Sequence, residues 1–236
     1  MYAEASASPT ENMKRLYLIR HGQTEWNVAK RMQGRLDSPL TSAGRAQAAV
    51  HGRLLSEIAS LEQLVVSPSG RTRETACILN SQVRAPIRHD EALMERDCGQ
   101  WSGLTIAEIE QHYPEAWEAR QEDPFYHRPP GGENHEDLVQ RARPLLAELL
   151  QGDRSEVGLV THGVMSRAIV THLLGLTPVA AVGVRHPNDL VYRLDVSRDG
   201  VRASHFLAGD GPRSGLLHQN ENETISGPAR AGERRD

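Results

Sequence analysis

The chain reads as a single α/β domain: a three-layer α/β/α sandwich on a mainly parallel sheet, with an antiparallel edge near the C-terminus. Three observations predict this. Short apolar runs alternate with stretches of helical periodicity, the pattern of strand–helix–strand units. Leu16–Ile19 and Val157–Thr161 are apolar at successive positions, as strands covered by helices on both faces must be. Leu190–Val196 and Val201–Phe206 flank Asp199-Gly200, a hairpin signal that adds an antiparallel edge.

The elements follow in order. Leu16–Ile19 is a strand. Thr41 to Ile58 is a helix that Thr41 can cap, with Ala46, Ala49, Val50, Leu54 and Ile58 at helical spacing. Leu64–Val66 is a second strand, stopped by Ser67-Pro68, and Gly70 to Asn80 is a helix. Ile87 begins a short third strand. Thr105–Gln111 and Glu115–Arg120 are short helices split by Pro114, which cannot continue the first. Glu136–Leu150 is a longer amphipathic helix closed by Gly152. Val157–Thr161 is a buried strand, and Val164–Leu174 a helix ended by Gly175. In sheets of this kind ligands bind at the carboxyl ends of the strands.

The chain has 236 residues and no internal repeat or central linker, which suits one domain over residues 14–208. Residues 1–13 and 209–236 read as mobile tails, being small and polar without apolar period. A net charge of −4 argues against a nucleic-acid surface. No apolar run approaches the ~20 residues that span a bilayer, so no membrane role is expected. The N-terminus lacks a basic-then-apolar signal pattern, which makes the cytoplasm the expected compartment. Cys77 and Cys98 are two thiols without C-x-x-C spacing, and both read as small buried hydrophobes.

The chemistry gathers at strand ends. Arg20-His21-Gly22 follows the first strand and Thr161-His162-Gly163 follows Val157–Thr161. If those strands are parallel neighbours, both imidazoles emerge at one sheet edge. A neutral imidazole beside a fixed guanidinium suits the transfer of a phosphoryl group onto nitrogen. A glycine after each histidine permits a sharp turn and lets an anion approach the backbone. Arg71, in the first turn of the helix after Ser67-Pro68, makes an anion site from guanidinium and backbone donors. Glu95, in the loop after the third strand, is placed to be a general acid.

These pieces resemble the histidine phosphatase superfamily, the phosphoglycerate-mutase-like fold, from about Arg15 to Asp210. The motifs are Leu18 to Asn27 (LIRHGQTEWN), R-x-Q-G-x-x-D-x-P-L-T at Arg31–Thr41, and S-P-x-x-R-x-x-x-T-A at Ser67–Ala76. L-x-E-x-x-x-G-x-W-x-G at Leu93–Gly103, P-P-G-G-E at Pro129–Glu133 and V-T-H-G at Val160–Gly163 complete the set. The resemblance implies that His21 is the nucleophile and becomes phosphohistidine. It implies that Arg20, Arg71 and a protonated His162 surround the equatorial oxygens, and that Glu95 protonates the leaving alkoxide. Asn27, Gln33 and Gly34 match positions that contact phosphate or substrate, and Gly163 lies at the same anion-facing turn. Residues 104–130 would form a cap over the leaving group. No metal or other cofactor is implied, and the spacing lacks H-x-x-x-H or H-E-x-x-H. The partner is a small phosphate ester. The family offers monomers, dimers and tetramers, which leaves a homodimer open.

Two outcomes share such an intermediate. Mutases of the family carry Glu-Arg-His-Tyr-Gly, in which Arg and Tyr hold a carboxylate; here Glu95-Arg96-Asp97-Cys98-Gly99 keeps only Arg96. Mutases also have Gly-Asn-Ser after the second histidine, where this chain has Gly163-Val164-Met165-Ser166. Hydrolysis of a small phosphomonoester is therefore expected, ahead of phosphoglycerate mutase activity and of an inactive scaffold on the same fold. The cap holds His112, Tyr113, Trp117, Phe125, Tyr126 and His127, which could stack a substrate or pack the cap. Arg96, Arg120 and Arg128 could favour an acidic substrate or be solvated.

Overall fold

The computed structural model describes residues 13–218. One sheet of seven strands runs in the order β3-β2-β4-β1-β5-β6-β7. The strands are β1 (Lys14–Arg20), β2 (Gln63–Val66), β3 (Ile87–His89), β4 (Glu156–Thr161), β5 (Leu190–Ser197), β6 (Gly200–Leu207) and β7 (Asp210–Ser214). β1, β2, β3 and β4 are parallel. β5 pairs antiparallel with β1, and β6 and β7 continue antiparallel from it. The first four strands are joined through helices, and the last three by tight turns, as the connection rules require.

β1 explains the layering. Leu16 and Leu18 point to one face, into a cluster with Leu138, Leu145, Leu146, Ala168 and Ile169. Those residues belong to α6 (His135–Gln151) and α7 (Gly163–Leu174). Tyr17 and Ile19 point to the other face, against Leu54, Leu55 and Leu79. These come from α2 (Ser42–Ile58) and α3 (Gly70–Val83). The apolar run is thus period-two residues feeding two cores. Each fully buried leucine contributes about 1.5–3 kcal/mol, which is why the strand needs apolar residues at successive positions.

Thr41 caps α2 through a bond from the Gly44 amide, and Gly175 closes α7 in the left-handed conformation. α6 passes through Pro144 and ends at Gly152. The remaining helices are short: α1 (Glu25–Val28), α4 (Ile106–His112), α5 (Pro114–Glu122) and α8 (Pro178–Gly183). α1 and α8 lack an apolar period long enough to read from sequence, and 3₁₀ turns at Glu91–Leu93 and Gly99–Trp101 are shorter still.

Two expectations need correction. The stretch from residue 209 was expected to be a tail, yet β7 pairs with β6 and the described chain continues to residue 218. Its residues are all exposed, so no hydrophobic pattern announces it; backbone bonds to β6 hold it. Residues 1–12 and 219–236 lie outside the described residues, and so do the tail expectations placed on them. Cys98 is buried, but Cys77 is exposed on the outer face of α3.

Four of the six cap aromatics pack the cap, whereas His112 and Tyr126 are exposed. Trp101 is fully buried, with Trp117 edge-on at 5.8 Å and His127 stacked at 5.6 Å. Tyr113 packs against the same cluster, and Phe125 lies against His135 at 4.6 Å. Among the described residues, no helix is long and apolar enough to cross a membrane.

Candidate active site

The parallel register brings the strand ends together. Arg20 pairs with Thr161, the last residue of β4, and the His21 amide donates to the Thr161 carbonyl at 2.9 Å. The Ser67 amide donates to the Val160 carbonyl at 3.0 Å, which sets the end of β2 beside them. The Thr161 hydroxyl donates to the Leu93 carbonyl at 2.7 Å and fixes the start of the Glu95 loop.

His21 is 2% exposed. Its Nδ1 lies 2.8 Å from the Gly22 carbonyl, so Nδ1 carries the proton and donates it. Nε2 is then a lone pair toward the cavity. Burial holds the His21 imidazole well below the usual histidine range, and the Arg20 and Arg71 guanidinia push the same way. The ring is therefore neutral across physiological pH.

Gly22 packs against α2: a Cβ there would lie 2.7 Å from the Gly44 carbonyl carbon and overlap its oxygen. Gly163 likewise makes room. A Cβ would sit 3.3 Å from Cζ of Arg20, and Gly163 is absent from the cavity wall. The two glycines thus serve helix packing and the Arg20 side chain; direct approach by an anion was expected of them. Arg20 is anchored by donation from Nη1 to the His186 carbonyl at 2.7 Å.

Arg71 is 2% exposed, and its guanidinium ties down the Gly34–Asp37 loop. Nη1 donates to the Leu36 carbonyl at 2.7 Å and to Asp37 Oδ1 at 2.9 Å, and Nη2 to the Gly34 carbonyl at 2.8 Å. Its buried Nε has no partner among the described residues. Gly34 takes a positive φ of 51° to present that carbonyl. Gln33 Oε1 is buried without a partner among the described residues, and Asn27 spends its Oδ1 on the Thr24 amide at 3.0 Å.

His162 is fully buried behind His21, their ring centroids 5.3 Å apart. Its Nε2 lies 2.8 Å from the Ser67 hydroxyl, and its Nδ1 is buried without a partner among the described residues. Burial pushes the ring well below the usual range, and Arg71, His21 and Arg20 add to that. The protonated form expected for His162 is thus disfavoured by its surroundings in the protein. The neutral tautomer in which Ser67 donates to Nε2 leaves Nδ1–H as a free donor, so His162 can donate without carrying charge.

Glu95 sits at the N-terminus of α7. Its carboxylate accepts from the Met165 amide at 3.0 Å, the Val164 amide at 3.2 Å and the Arg96 amide at 2.9 Å. The helix amides orient it. The loop carrying it is held by a residue that the motifs do not mark. Arg141 of α6 donates to the carbonyls of Ala92 and Met94, both at 3.0 Å, and forms an ion pair with Glu133 at 3.0 Å. Glu133 in turn accepts from the Asp97 amide at 2.9 Å, which explains the P-P-G-G-E motif as a brace.

A cavity of about 300 Å³ opens on this cluster, its lining including Arg20, His21, Asn27, Gln33, Gly34, Arg71, Glu95 and Arg96 together with Arg31, Arg120 and Arg167. His162 and Gly163 lie outside the lining. Arg167 carries no motif, although it lies three residues past Val164 on the same helix face, a spacing that could have flagged it. Six arginines against one carboxylate give the cavity a strongly positive wall. Among the described residues, no group of three or more His, Cys, Asp or Glu could hold a metal ion.

A doubly covered parallel sheet that presents a neutral imidazole and several guanidinia at its carboxyl edge is the scaffold of a phosphoryl-handling enzyme. The family model described as the histidine phosphatase superfamily (branch 1) matches residues 16–207. The chain belongs to that superfamily. A glucosyl-3-phosphoglycerate phosphatase of Mycobacterium tuberculosis is 40% identical over 177 residues, covering 71% of this chain and 78% of the relative. A Salmonella choleraesuis protein named "Probable phosphoglycerate mutase" is 34% identical over 205 residues, 84% of this chain and 94% of the relative. The solved mycobacterial glucosyl-3-phosphoglycerate phosphatase complexed with VO3 superposes with a TM-score of 0.72 at 33% identity, over 82% of this chain and 98% of that one.

Proposed function

We propose that this chain is a phosphomonoesterase that hydrolyses a small phosphorylated metabolite in the cytoplasm through a phosphohistidine on His21, without a metal. The carrying observation is the His21 ring, neutral, fixed by Gly22 at Nδ1, with Nε2 free in a guanidinium-lined cavity.

In the first half-reaction the Nε2 lone pair attacks phosphorus and the bond from phosphorus to the ester oxygen breaks. Arg20, Arg71 and the His162 Nδ1–H take the equatorial oxygens, where charge spreads in the transition state. Glu95 gives its proton to the departing alkoxide, which leaves as the alcohol. In the second half-reaction Glu95 takes a proton from water, the water oxygen attacks phosphorus, and the N–P bond breaks to release phosphate and neutral His21. Two displacements replace one difficult one.

The departures from the mutase pattern at Asp97, Cys98 and Val164 favour water as acceptor. The higher identity to the relative named as a phosphatase supports the same choice. The name of that relative also suggests that the alcohol is an acidic glycerate derivative.

Para-nitrophenyl phosphate turnover and labelling with a ³²P-phosphoester test the reading. Turnover with a base-stable, acid-labile label that His21→Ala abolishes supports it. Turnover that persists in His21→Ala would remove His21 from the mechanism.

A further inference from the structure

The backbone that carries His21 is gripped by the loop 184–189, between α8 and β5. We propose that Asn188 is a positioning residue for the phosphoryl transfer and that His51 of α2 holds it in place: the Asn188 amide sets the peptide after His21 and, through it, the line along which Nε2 meets phosphorus. The inference rests on the phosphatase reading for His21 as nucleophile, and deepens it by assigning two residues that no motif marks. Neither lines the phosphoryl cavity.

Four bonds fix the two peptides on which the ring depends. In the first peptide, the His21 carbonyl accepts from Asn188 Nδ2 at 2.7 Å and the Gly22 amide donates to Thr75 Oγ1 at 3.0 Å. In the second, the Gly22 carbonyl accepts from His21 Nδ1 at 2.8 Å and the Gln23 amide donates to Gln47 Oε1 at 2.9 Å. The ring is thus tied to the second peptide, and the second peptide hinges on the first at Gly22. Glycine is the freest joint a chain offers, so the restraint comes from the side chains on either peptide. The Asn188 bond is the shortest of the four. Its partner is a carbonyl, so the group facing His21 is the amide NH₂, which a carboxylate or an apolar side chain cannot replace.

Asn188 is itself held. His51 Nε2 donates to the Asn188 carbonyl at 2.9 Å. His51 is 1% exposed, and its Nδ1 is buried without a partner among the described residues. The other buried residues of α2 are Gly44, Ala48, Gly52, Leu54 and Leu55, all chosen for packing. A buried polar ring with one nitrogen unsatisfied is costly where an apolar residue would pack, so packing alone does not account for a histidine there. The bond to the Asn188 carbonyl does. The rest of the loop is pinned as well: Arg185 and Asp189 bond to the backbone of Leu217 and Ala208 at 2.9 and 2.8 Å, and His186 Nε2 donates to the Leu190 carbonyl at 2.9 Å. The same loop takes the Arg20 guanidinium on the His186 carbonyl. Nucleophile and neighbouring cation are therefore referenced to one rigid support. In-line displacement needs that precision, since a misplacement of about 1 Å costs on the order of 100-fold.

Asn188→Leu nearly keeps the volume and removes the amide. The readout is a pair of affinities. Vanadate mimics the five-coordinate transition state by taking a bond from Nε2, whereas inorganic phosphate binds without that bond. In Asn188→Leu, inhibition by vanadate weakens about tenfold or more, while inhibition by phosphate stays within about threefold. With para-nitrophenyl phosphate kcat falls about 10- to 100-fold at a KM within about threefold of the parent. His51→Leu moves the vanadate-to-phosphate ratio in the same direction, and His51→Gln, whose amide nitrogen takes the place of Nε2, restores it. If Asn188→Leu fails to fold, the two His51 variants carry the test. An active parent whose ratio is unmoved in the folded leucine variants overturns the positioning role and leaves the phosphatase reading intact. So does a loss of vanadate and phosphate binding in equal measure, which would mark Asn188 as merely structural. A parent that neither turns over an ester nor binds vanadate overturns the phosphatase reading, and the positioning role with it.

Discussion

Ser67→Ala isolates the part of the site that sequence motifs explain least. The Ser67 hydroxyl is fully buried and 2.8 Å from His162 Nε2, in a ring whose other nitrogen has no partner among the described residues. Removing it has two separable costs. A buried imidazole nitrogen left unsatisfied costs about 1–3 kcal/mol. For a chain of this size that lowers the melting temperature by roughly 2–4 °C per kcal/mol. The second cost is catalytic. With Ser67 donating to Nε2, the proton must sit on Nδ1, where it can meet a phosphoryl oxygen. Without Ser67 the proton is free to settle on Nε2, and Nδ1 then turns a lone pair toward an anion. A charged hydrogen bond lost in the transition state is worth about 1.5–3 kcal/mol, so kcat/KM falls about 10- to 150-fold. Steady-state kinetics on para-nitrophenyl phosphate and a thermal melt read the two effects. A variant with kcat/KM within about threefold of the parent would refute the tautomer argument, whatever its melting temperature.

Other predictions concern the frame and its protons. Gly22→Ala forces its Cβ to 2.7 Å from the Gly44 carbonyl carbon, and urea titration should report a loss of about 1–3 kcal/mol; an unchanged midpoint contradicts the packing role of that glycine. His135 and His186 are held neutral by burial, both down to about 3. A depressed folded pKa means that the unfolded chain binds the proton first, so stability is full above about pH 6.5 and drains as pH falls toward 3, by about 1.4 kcal/mol per pH unit for each ring. Calorimetric melts from pH 7 to pH 4 check this, and a flat profile contradicts it. Arg141→Ala should leave Glu95 in a loop without its brace, lowering kcat more than it raises KM; the opposite split would mean the loop holds substrate. Activity should survive dialysis against EDTA, and a loss that zinc restores would show a metal role.

Much of the fold was legible because its signals are local. Continuous apolar runs name strands covered on both faces, and Thr41, Pro114, Gly152 and Gly175 punctuate the helices where the structure has them. α8 and β7 were not legible, one being a single short turn and the other an exposed strand whose stability is all backbone pairing. For the site, His21, Glu95 and Arg71 announce themselves by following strands. The charge state of His162 did not, because it depends on burial and on three neighbours that only the fold assembles. Arg141 and Arg167 were missed for a related reason. Each acts from a helix face that could pass for a solvated one, and what it faces is known only when the helices are docked.

β7 has a further consequence, for what this protein does in a crowded solution. It is the outermost strand on its side of the sheet, five exposed residues long, and it holds Pro212 with charges at Asp210 and Arg213. A proline offers no amide to a neighbouring strand, and charged side chains discourage docking of another sheet. The opposite margin, β3, is only three residues long. Both borders are poor templates, so a second copy has little to gain by zipping onto the sheet, and the protein is guarded against growing by strand addition at high concentration.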